Sequence, residues 1–205
     1  SLGQLENTVI LFTSDHGNHF KTRNAEYKRS CHEASIHVPT ALRGPGFEGG
    51  GRIDELVSLV DLPPTLLDAA GIAVPREMSG RSILPLTRGE RADWPEEVFV
   101  QISEAQVGRA VRTHRWKYCV DAPDKKGGQH PGSDHYAEQY LYDLQADPYE
   151  LRNLIGLESH QKVAEVMRKR LIRRMVAVGE EAPEITLAPV QRSGQRRVSE
   201  AEANA

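Results

Sequence analysis

The part of this chain that decides its fold is residues 8–17, TVILFTSDHG. Its first five residues are apolar or β-branched, which is the pattern of a β-strand buried on both faces. The run ends at Asp15, His16 and Gly17, so a carboxylate and an imidazole follow the strand directly. Open α/β sheets place their ligand sites at the carboxyl ends of such strands. The pattern therefore predicts an α/β fold with a ligand site after this strand.

Asp15 and His16 offer two kinds of metal-binding atom, a carboxylate oxygen and an imidazole nitrogen. Gly17 would let the backbone turn sharply after them. A turn that contains Asp and Gly also follows many strands that carry no metal site. The tripeptide by itself therefore leaves both interpretations open.

A longer pattern follows in residues 27–39, YKRSCHEASIHVP. It resembles the segment after the metal-binding strand in type I, formylglycine-dependent sulfatases of the alkaline phosphatase superfamily. The lysine of that family corresponds to Lys28, and its Val-Pro pair corresponds to residues 38–39 at the family's own spacing. His32 stands where the family usually has an aromatic residue, and His37 stands where arginine is frequent. Neither departure falls on a metal-binding position of the family.

Two later segments extend this resemblance over residues 5–178. Residues 59–71, LVDLPPTLLDAAG, resemble the family's helix after the catalytic strands, and residues 141–154, LYDLQADPYELRNL, resemble its carboxy-terminal signature. The nucleophile motif of the family, Cys-x-Pro-x-Arg or Ser-x-Pro-x-Arg, does not occur at Cys31, at Cys119 or at any serine. We therefore expect the carboxy-terminal portion of a sulfatase, without the first half that carries the nucleophile and further metal carboxylates.

The resemblance implies a chemistry for these residues. In the family, the hydrate of a formylglycine attacks sulfur, and the hemiacetal sulfate that forms then eliminates. A divalent cation, usually Ca²⁺, binds the sulfate oxygens and the nucleophile, and a carboxylate such as Asp15 suits that cation. His16 would contact the metal or the formylglycine, and its nitrogen also suits Mn²⁺. The implied metal ligands are Asp15 and His16, and the implied catalytic residues are Lys28 and His16.

The implied substrate-binding residues are Lys28, His32, Arg23 and His114. Lys28 would place its ammonium on the sulfate and on the leaving-group oxygen, where a fixed cation stabilises the charge of the transition state. Outside this motif, Lys28 would be interpreted as an ordinary surface lysine. For His32, a hydrogen-bonded histidine behind the site is an equal alternative. His114 lies at a turn between two predicted strands, together with Arg112.

The sequence leaves three functions open. The first is sulfate ester hydrolysis, for example of sulfated carbohydrates, by a full-length enzyme, the isolated 205-residue chain being inactive. The second is a phosphonate or phosphodiester hydrolase of the same superfamily. The third is a non-catalytic fragment that serves as a scaffold or binding module. The expected partners are a sulfate ester and either the missing amino-terminal half or a second copy, and the resemblance favours a periplasmic or secreted location.

Composition limits the classes of partner. The chain has 205 residues, enough for one good core or two small ones. Its 26 basic and 29 acidic residues give a net charge of −3, which argues against general affinity for nucleic acid or anionic membranes. No apolar run approaches the roughly 20 residues that a membrane span needs. Two cysteines form neither a disulfide framework nor a zinc site, so we predict two free thiols.

We predict three regions along the chain. They are the end of a catalytic α/β sheet domain at residues 1–90, a small antiparallel-sheet-plus-helix subdomain at 91–180, and a polar tail at 181–205. The tail should be extended or disordered unless a neighbour holds it.

Hydrophobic periodicity predicts the elements within these regions. In the first region, buried strands are expected at 38–42 and 56–60, followed by a helix capped by Asp61 and ended by Gly71. In the second region, alternation predicts strands with one solvent-facing side. These strands lie at 98–103, 108–113, 116–120 and 140–144. A helix with one apolar face should follow at 161–178.

Overall fold

A computed structural model describes residues 3–205. The strands are β1 (Ile10–Phe12), β2 (Ala41–Arg43), β3 (Glu97–Ile102), β4 (Gly108–Thr113), β5 (Trp116–Asp121), β6 (His135–Asp143) and β7 (Glu184–Thr186). The helices are α1 (Glu33–Ile36), α2 (Leu62–Ala69), α3 (Leu84–Thr87), α4 (Gln161–Ala177) and α5 (Glu200–Ala203). This mixture of helices and sheets confirms the predicted α/β class.

The chain packs as two compact units, each described here by itself. Unit 1 comprises the chain up to Asp15 together with Val38–Glu96. Unit 2 comprises His16–His37 and Glu97–Ala205. The segment that connects β1 to β2 therefore packs with the later part of the chain. The domain boundaries near residues 90 and 180 stay predictions.

In unit 1, β1 and β2 form a two-stranded antiparallel sheet in which Leu11 lies opposite Leu42. The prediction that β1 is buried on both faces is wrong within the described residues, because Phe12 is 67% exposed. The reason is that β1 pairs there with β2 alone, whereas burial of both faces needs layers above and below a sheet. The strand predicted at 56–60 is also wrong, since Leu59–Asp61 forms a 3₁₀ turn.

Helix α2 of unit 1 follows its sequence signals at both ends. It begins after Asp61 and ends before Gly71, whose φ of 70° is the left-handed conformation that glycine adopts without strain. The carboxylate of Asp61 does not cap α2, in contrast to the prediction. It accepts hydrogen bonds from the backbone N–H groups of Ser58 at 2.8 Å and Arg81 at 2.9 Å. Asp61 therefore ties the start of α2 to a later loop.

Unit 2 contains a five-stranded sheet in the order β3-β4-β5-β6-β7. Strands β3 to β6 are antiparallel to their neighbours, and β7 is parallel to β6. All four strands predicted for this region are confirmed, although β6 is longer than predicted because it starts at His135. The prediction that one side of these strands faces solvent is wrong. Most residues of β4 and β5 are buried, whichever face of the sheet they point to.

Helix α4 covers one face of this sheet, and its predicted apolar side is confirmed. Its residues Val163, Met167, Leu171 and Met175 are fully buried. They pack with Trp116 of β5 in the larger hydrophobic core. Because burial of one such side chain contributes about 1.5–3 kcal/mol, this helix face is a main source of stability for unit 2.

Residues 16–37 lie against the opposite face of the same sheet. Cys31 joins Ala110 of β4 and Cys119 of β5 in a second, smaller core. The same face carries Lys117, which has no exposed surface. The covering segment comes from a distant part of the sequence, so strand periodicity alone could not reveal that this face is buried.

The polar tail packs against unit 2. The tail was predicted to be extended or disordered only in the absence of such a contact. Strand β7 pairs with β6, and Trp116 Nε1 donates a hydrogen bond to the carbonyl oxygen of Glu202 at 2.8 Å. Ala203 is buried in the larger core. Within residues 3–205, no helix combines the length and the apolar character needed to cross a membrane.

Candidate functional site

Asp15 lies in unit 1, a short distance after β1. The strand end is fixed by a hydrogen bond of 2.9 Å between the hydroxyls of Thr13 and Thr40, the residue just before β2. Asp15 is exposed and makes contacts of its own. The structure thus places a carboxylate near the end of β1, as the sequence predicted.

His16 opens unit 2 and is partly buried. Its Nδ1 lies 2.6 Å from the carbonyl oxygen of Gly17. Because a carbonyl oxygen can only accept, Nδ1 is the donor in this hydrogen bond. The edge of the ring faces Tyr27, with 5.9 Å between the ring centres.

Gly17 is required for a different reason from the one predicted. Its N–H donates to the carbonyl oxygen of Ser35 at 2.8 Å, so the two backbone segments lie in direct contact. A Cβ at this position would lie 2.1 Å from the carbonyl oxygen of Ala34. Gly17 therefore permits the close approach of residues 16–17 to helix α1 rather than a left-handed turn.

A divalent cation would find part of its ligand shell in these residues. Asp15 provides the oxygen donor that Ca²⁺ prefers, and His16 provides a nitrogen. In the part of the chain that the structure describes, no group of three or more His, Cys, Asp or Glu side chains could hold a metal ion. A Ca²⁺ ion takes 6 to 8 oxygen ligands. The donor chemistry therefore fits a partial site that needs further ligands.

Lys28 lies partly buried on the same segment of unit 2. Its ammonium is 5.6 Å from the centre of the Tyr27 ring, within the range of a cation–π contact. An aromatic ring carries no net charge, so this contact orients the lysine without neutralising it. The same ring faces His16, and Tyr27 thereby contacts both residues that the sequence predicted to be catalytic.

Arg23 has a structural contact that the sequence did not indicate. Its Nη1 donates to the carbonyl oxygen of Glu150 at 2.9 Å, and its Nη2 donates to that of Tyr149 at 2.6 Å. Glu150 has a φ of 56°, a left-handed conformation that is uncommon for a residue with a side chain. Arg23 therefore holds a strained turn in place, and its predicted role in substrate binding stays a prediction.

His32 is buried, with 2% of its surface exposed, and both ring nitrogens have partners. Nδ1 lies 3.1 Å from the Ser30 hydroxyl, and Nε2 lies 3.2 Å from the Tyr142 hydroxyl. The ring also packs edge-on against Tyr140. This geometry agrees with the second of the two interpretations of His32, a hydrogen-bonded histidine behind the site rather than a residue that contacts substrate.

The environment of His32 disfavours its charged form. Burial, followed by the positive charges of Arg23, Lys117 and His19, lowers the pKa of His32 to about 3. An unfolded histidine has a pKa near 6.5. The folded chain therefore binds fewer protons than the unfolded chain at mildly acidic pH.

We expect this depressed pKa to make folding stability depend on pH. The contribution of neutral His32 is fully present above pH 6.5 and is lost progressively as the pH falls towards about 3. When the pH is lowered from 7 to 5, the free energy of unfolding measured in urea should fall by about 1–2 kcal/mol more for the native chain than for His32→Phe. Equal losses in the two proteins would show that His32 does not titrate in this way.

His114 and Arg112 differ in their surroundings. His114 is exposed at the turn between β4 and β5, and its predicted contact with substrate stays a prediction. Arg112 Nη2 donates to Glu33 Oε2 at 3.3 Å, so it forms a salt bridge with the covering segment.

A buried charge cluster at the base of the segment was not predicted. Lys117 has no exposed surface, and its Nζ lies 3.1 Å from Glu33 Oε1. It also forms a salt bridge with Glu150, which is itself 2% exposed. The Glu150 carboxylate accepts a further hydrogen bond of 2.7 Å from the backbone N–H of Glu33. The only sequence signal for this cluster is a lysine inside the apolar strand residues 116–120, WKYCV.

The pKa directions in this cluster follow from one cation shared by two carboxylates. Burial lowers the pKa of Lys117, but Glu33 and Glu150 outweigh it, and the net direction is upward. For Glu33, burial raises the pKa, and the charges of Lys117 and Arg112 reverse that to a net decrease. Burial keeps the pKa of Glu150 above its usual value in spite of Lys117. The two carboxylates therefore favour the charged form of Lys117, although its side chain has no exposed surface.

Comparison with known proteins shows that this chain is similar to sulfatases. Residues 26–177 match the family described as N-sulphoglucosamine sulphohydrolase, C-terminal. Arylsulfatase K of Rattus norvegicus is 34% identical over 163 residues, which cover 75% of this chain and 27% of that protein. The chain thus spans about a quarter of the length of the curated relatives it matches.

Solved structures share the fold. A 2-O GAG sulfatase matches with a TM-score of 0.69 and 30% identity, over 84% of this chain and 37% of that chain. The phosphonate monoester hydrolase of Silicibacter pomeroyi matches with a TM-score of 0.69 and 25% identity, over 85% of this chain and 36% of that chain. Both kinds of hydrolase that the sequence left open therefore occur among the structural neighbours.

Proposed function

This chain belongs to the sulfatases, in the family of N-sulphoglucosamine sulphohydrolase carboxy-terminal domains, and from this premise we propose that it forms part of an enzyme that hydrolyses sulfate esters. We refer to that enzyme as the full-length enzyme. The length of the relatives, of which this chain spans about a quarter, supports the existence of further parts. The isolated chain, which lacks the nucleophile motif, would have no turnover of its own.

The observation that carries this proposal is the setting of Lys28. Its ammonium lies 5.6 Å from the centre of the Tyr27 ring, a cation–π contact that orients it. The segment that bears it is tied to β5 by the salt bridge between Glu33 and the buried Lys117. A fixed cation of this kind stabilises negative charge that develops on a sulfate and on its leaving-group oxygen.

Asp15 and His16 would hold a divalent cation together with ligands from other parts of the full-length enzyme. Ca²⁺ suits the carboxylate, and Mn²⁺ would suit the imidazole of His16. When bound, such an ion supplies positive charge for the sulfate oxygens, beside a formylglycine nucleophile that lies outside this chain. His16 would serve both as ligand and as a catalytic contact.

A sulfated carbohydrate is the substrate class that we propose. The support is the similarity to a 2-O GAG sulfatase over 84% of this chain. Lys28 and the exposed His114 are the residues that would contact the anionic group and its neighbourhood. Arg23 and His32 would act indirectly, because hydrogen bonds within unit 2 occupy their side chains. A secreted or periplasmic location fits this substrate class.

The experiment that tests this function compares two esters of the same aryl alcohol, a sulfate and a methylphosphonate, with the full-length enzyme. We expect turnover of the sulfate ester to exceed that of the phosphonate ester, and a chelator to abolish it until Ca²⁺ or Mn²⁺ is restored. The enzyme purified as the 205-residue chain alone should show no turnover of either ester. Absence of sulfate ester turnover in the metal-loaded full-length enzyme would contradict the proposal.

The second candidate function is phosphonate monoester hydrolysis. It is favoured by the similarity to the Silicibacter pomeroyi enzyme, at 25% identity over 85% of this chain. Lys28 and a divalent cation would serve an anionic phosphonate in the same way, so the chemistry of these residues does not separate the two. A preference for the phosphonate ester in the assay above would select this function.

A further inference from the structure

Two buried cysteines face each other across the contact between residues 16–37 and the sheet of unit 2. Cys31 lies just before helix α1, and Cys119 lies in β5, 88 residues further along the chain. Their Sγ atoms are 2.7 Å apart. A disulfide needs roughly 2.05 Å between its sulfurs, so the two atoms must approach by less than an ångström. Both residues are free thiols in this structure.

Strand β5 alternates regularly across this position, since Trp116, Tyr118 and Val120 belong to the larger core and Cys119 to the smaller one. The register shift opposite Cys119 and Val120 places its extra residue, Gln139, in β6. Here the side chain of Cys119 points towards Cys31 in the smaller core, where Ala110 is their buried apolar neighbour.

We propose that Cys31 and Cys119, which the sequence alone predicted to stay free thiols, form a disulfide bond that joins the segment bearing Lys28 to strand β5. Both S–H bonds break, one S–S bond forms, and two protons and two electrons leave. A low-molecular-weight disulfide such as oxidised glutathione accepts the electrons and is reduced to two thiols by exchange. This bond is independent of the reaction that the full-length enzyme catalyses.

The burial of the pair determines when the bond forms. Only 2% of Cys31 and 1% of Cys119 is exposed, so an external disulfide does not reach them in the folded chain. Burial also raises the pKa of the Cys119 thiol, which leaves little of the reactive thiolate. The bond therefore forms while the chain folds in an oxidising compartment, and the finished core then protects it from reductants.

The bond should raise the stability of unit 2. A crosslink between residues 88 apart closes a long loop and removes much of the freedom of the unfolded chain. Unfolding the protein in a reductant, which exposes and breaks the bond, and refolding it without an oxidant should lower the Tm by on the order of 10 °C. The double variant in which both cysteines become alanine should melt at the same temperature with and without reductant.

Mass spectrometry tests the proposal without any variant. The full-length enzyme, secreted or refolded with reduced and oxidised glutathione, is denatured at acidic pH, alkylated with N-ethylmaleimide and digested with trypsin. We expect peptides 30–43 and 118–125 to appear as one crosslinked species, and as two alkylated peptides only after reduction. Alkylation of both cysteines before reduction would overturn the proposal, and so would a bond from either one to another thiol.

Single variants supply the matched control. In Cys31→Ala, Cys119 should become alkylated without reduction, and in Cys119→Ala, Cys31 should become alkylated. A single variant whose remaining cysteine stays blocked would show that this cysteine pairs elsewhere. Because the crosslinked peptide is sought in the native protein, failure of a variant to fold does not affect the decision.

Discussion

Replacement of Lys28 by alanine in the full-length enzyme is expected to lower kcat for a sulfate ester by about 10²–10³. Lys28 would provide a fixed positive charge that is worth most when negative charge develops on the leaving-group oxygen. The loss should therefore appear mainly in kcat, with a smaller change in KM. Steady-state kinetics at saturating metal concentration, together with a melting curve, measures both quantities.

Lys21→Ala is the matched control for this prediction. Lys21 lies on the same segment of unit 2 and is exposed. Both variants lose one positive charge from the same loop, so a general electrostatic effect would lower the two activities alike. If Lys28→Ala kept more than a tenth of the native kcat, or if Lys21→Ala lost as much, the catalytic role of Lys28 would be wrong.

Replacement of Lys117 by methionine is expected to lower the free energy of unfolding by about 3–5 kcal/mol. Methionine keeps most of the volume of the lysine stem but removes the charge. The buried Glu150 and the partly buried Glu33 would then lose the cation that they share, and only Glu33 would keep a salt bridge, with Arg112. Urea denaturation followed by circular dichroism measures the loss.

Lys169→Met provides the comparison for an exposed pair. Lys169 lies on α4, is 71% exposed, and pairs with Glu165 four residues earlier. Such a pair contributes about 0.3–0.5 kcal/mol, so this variant should be close to native in stability. Addition of Glu150→Gln to Lys117→Met should restore part of the loss, because it removes one unpaired charge. Similar losses for Lys117→Met and Lys169→Met would refute the role of the buried cluster.

Local patterns of the sequence predicted the elements of unit 2 well. Strand β4 was predicted at the residues where it occurs, and helix α4 was predicted within one residue. Side chains alternate along a strand and recur every three or four residues along a helix, so the sequence within an element is enough to indicate it. Patterns fail at 56–60, where an apolar run forms a 3₁₀ turn instead of a strand, and at 38–42, where the strand begins only at Ala41 and is not buried.

For the candidate site too, local patterns of the sequence predicted some features and missed others. The motif spacing predicted Asp15, His16 and Lys28 as site residues, because such a prediction depends on residue type and on short separations along the chain. It did not distinguish residues that would contact substrate from buried residues whose side chains hydrogen-bond within the protein. His32 and Arg23 have partners 110 and 127 residues away, and no local pattern records such partners.

The sequence by itself determined the α/β class and the sulfatase family, and it predicted Asp15, His16 and Lys28 as residues of the site. These properties depend on the periodicity of short segments and on motifs whose residues lie close together in the chain. The tertiary structure alone decided that β1 is exposed in unit 1, that β4 and β5 are buried on both faces, and that Lys117 pairs with Glu33 and Glu150. A strand pattern does not state what covers each face, and a charge is stable in a core only when folding brings its partner from a distant segment.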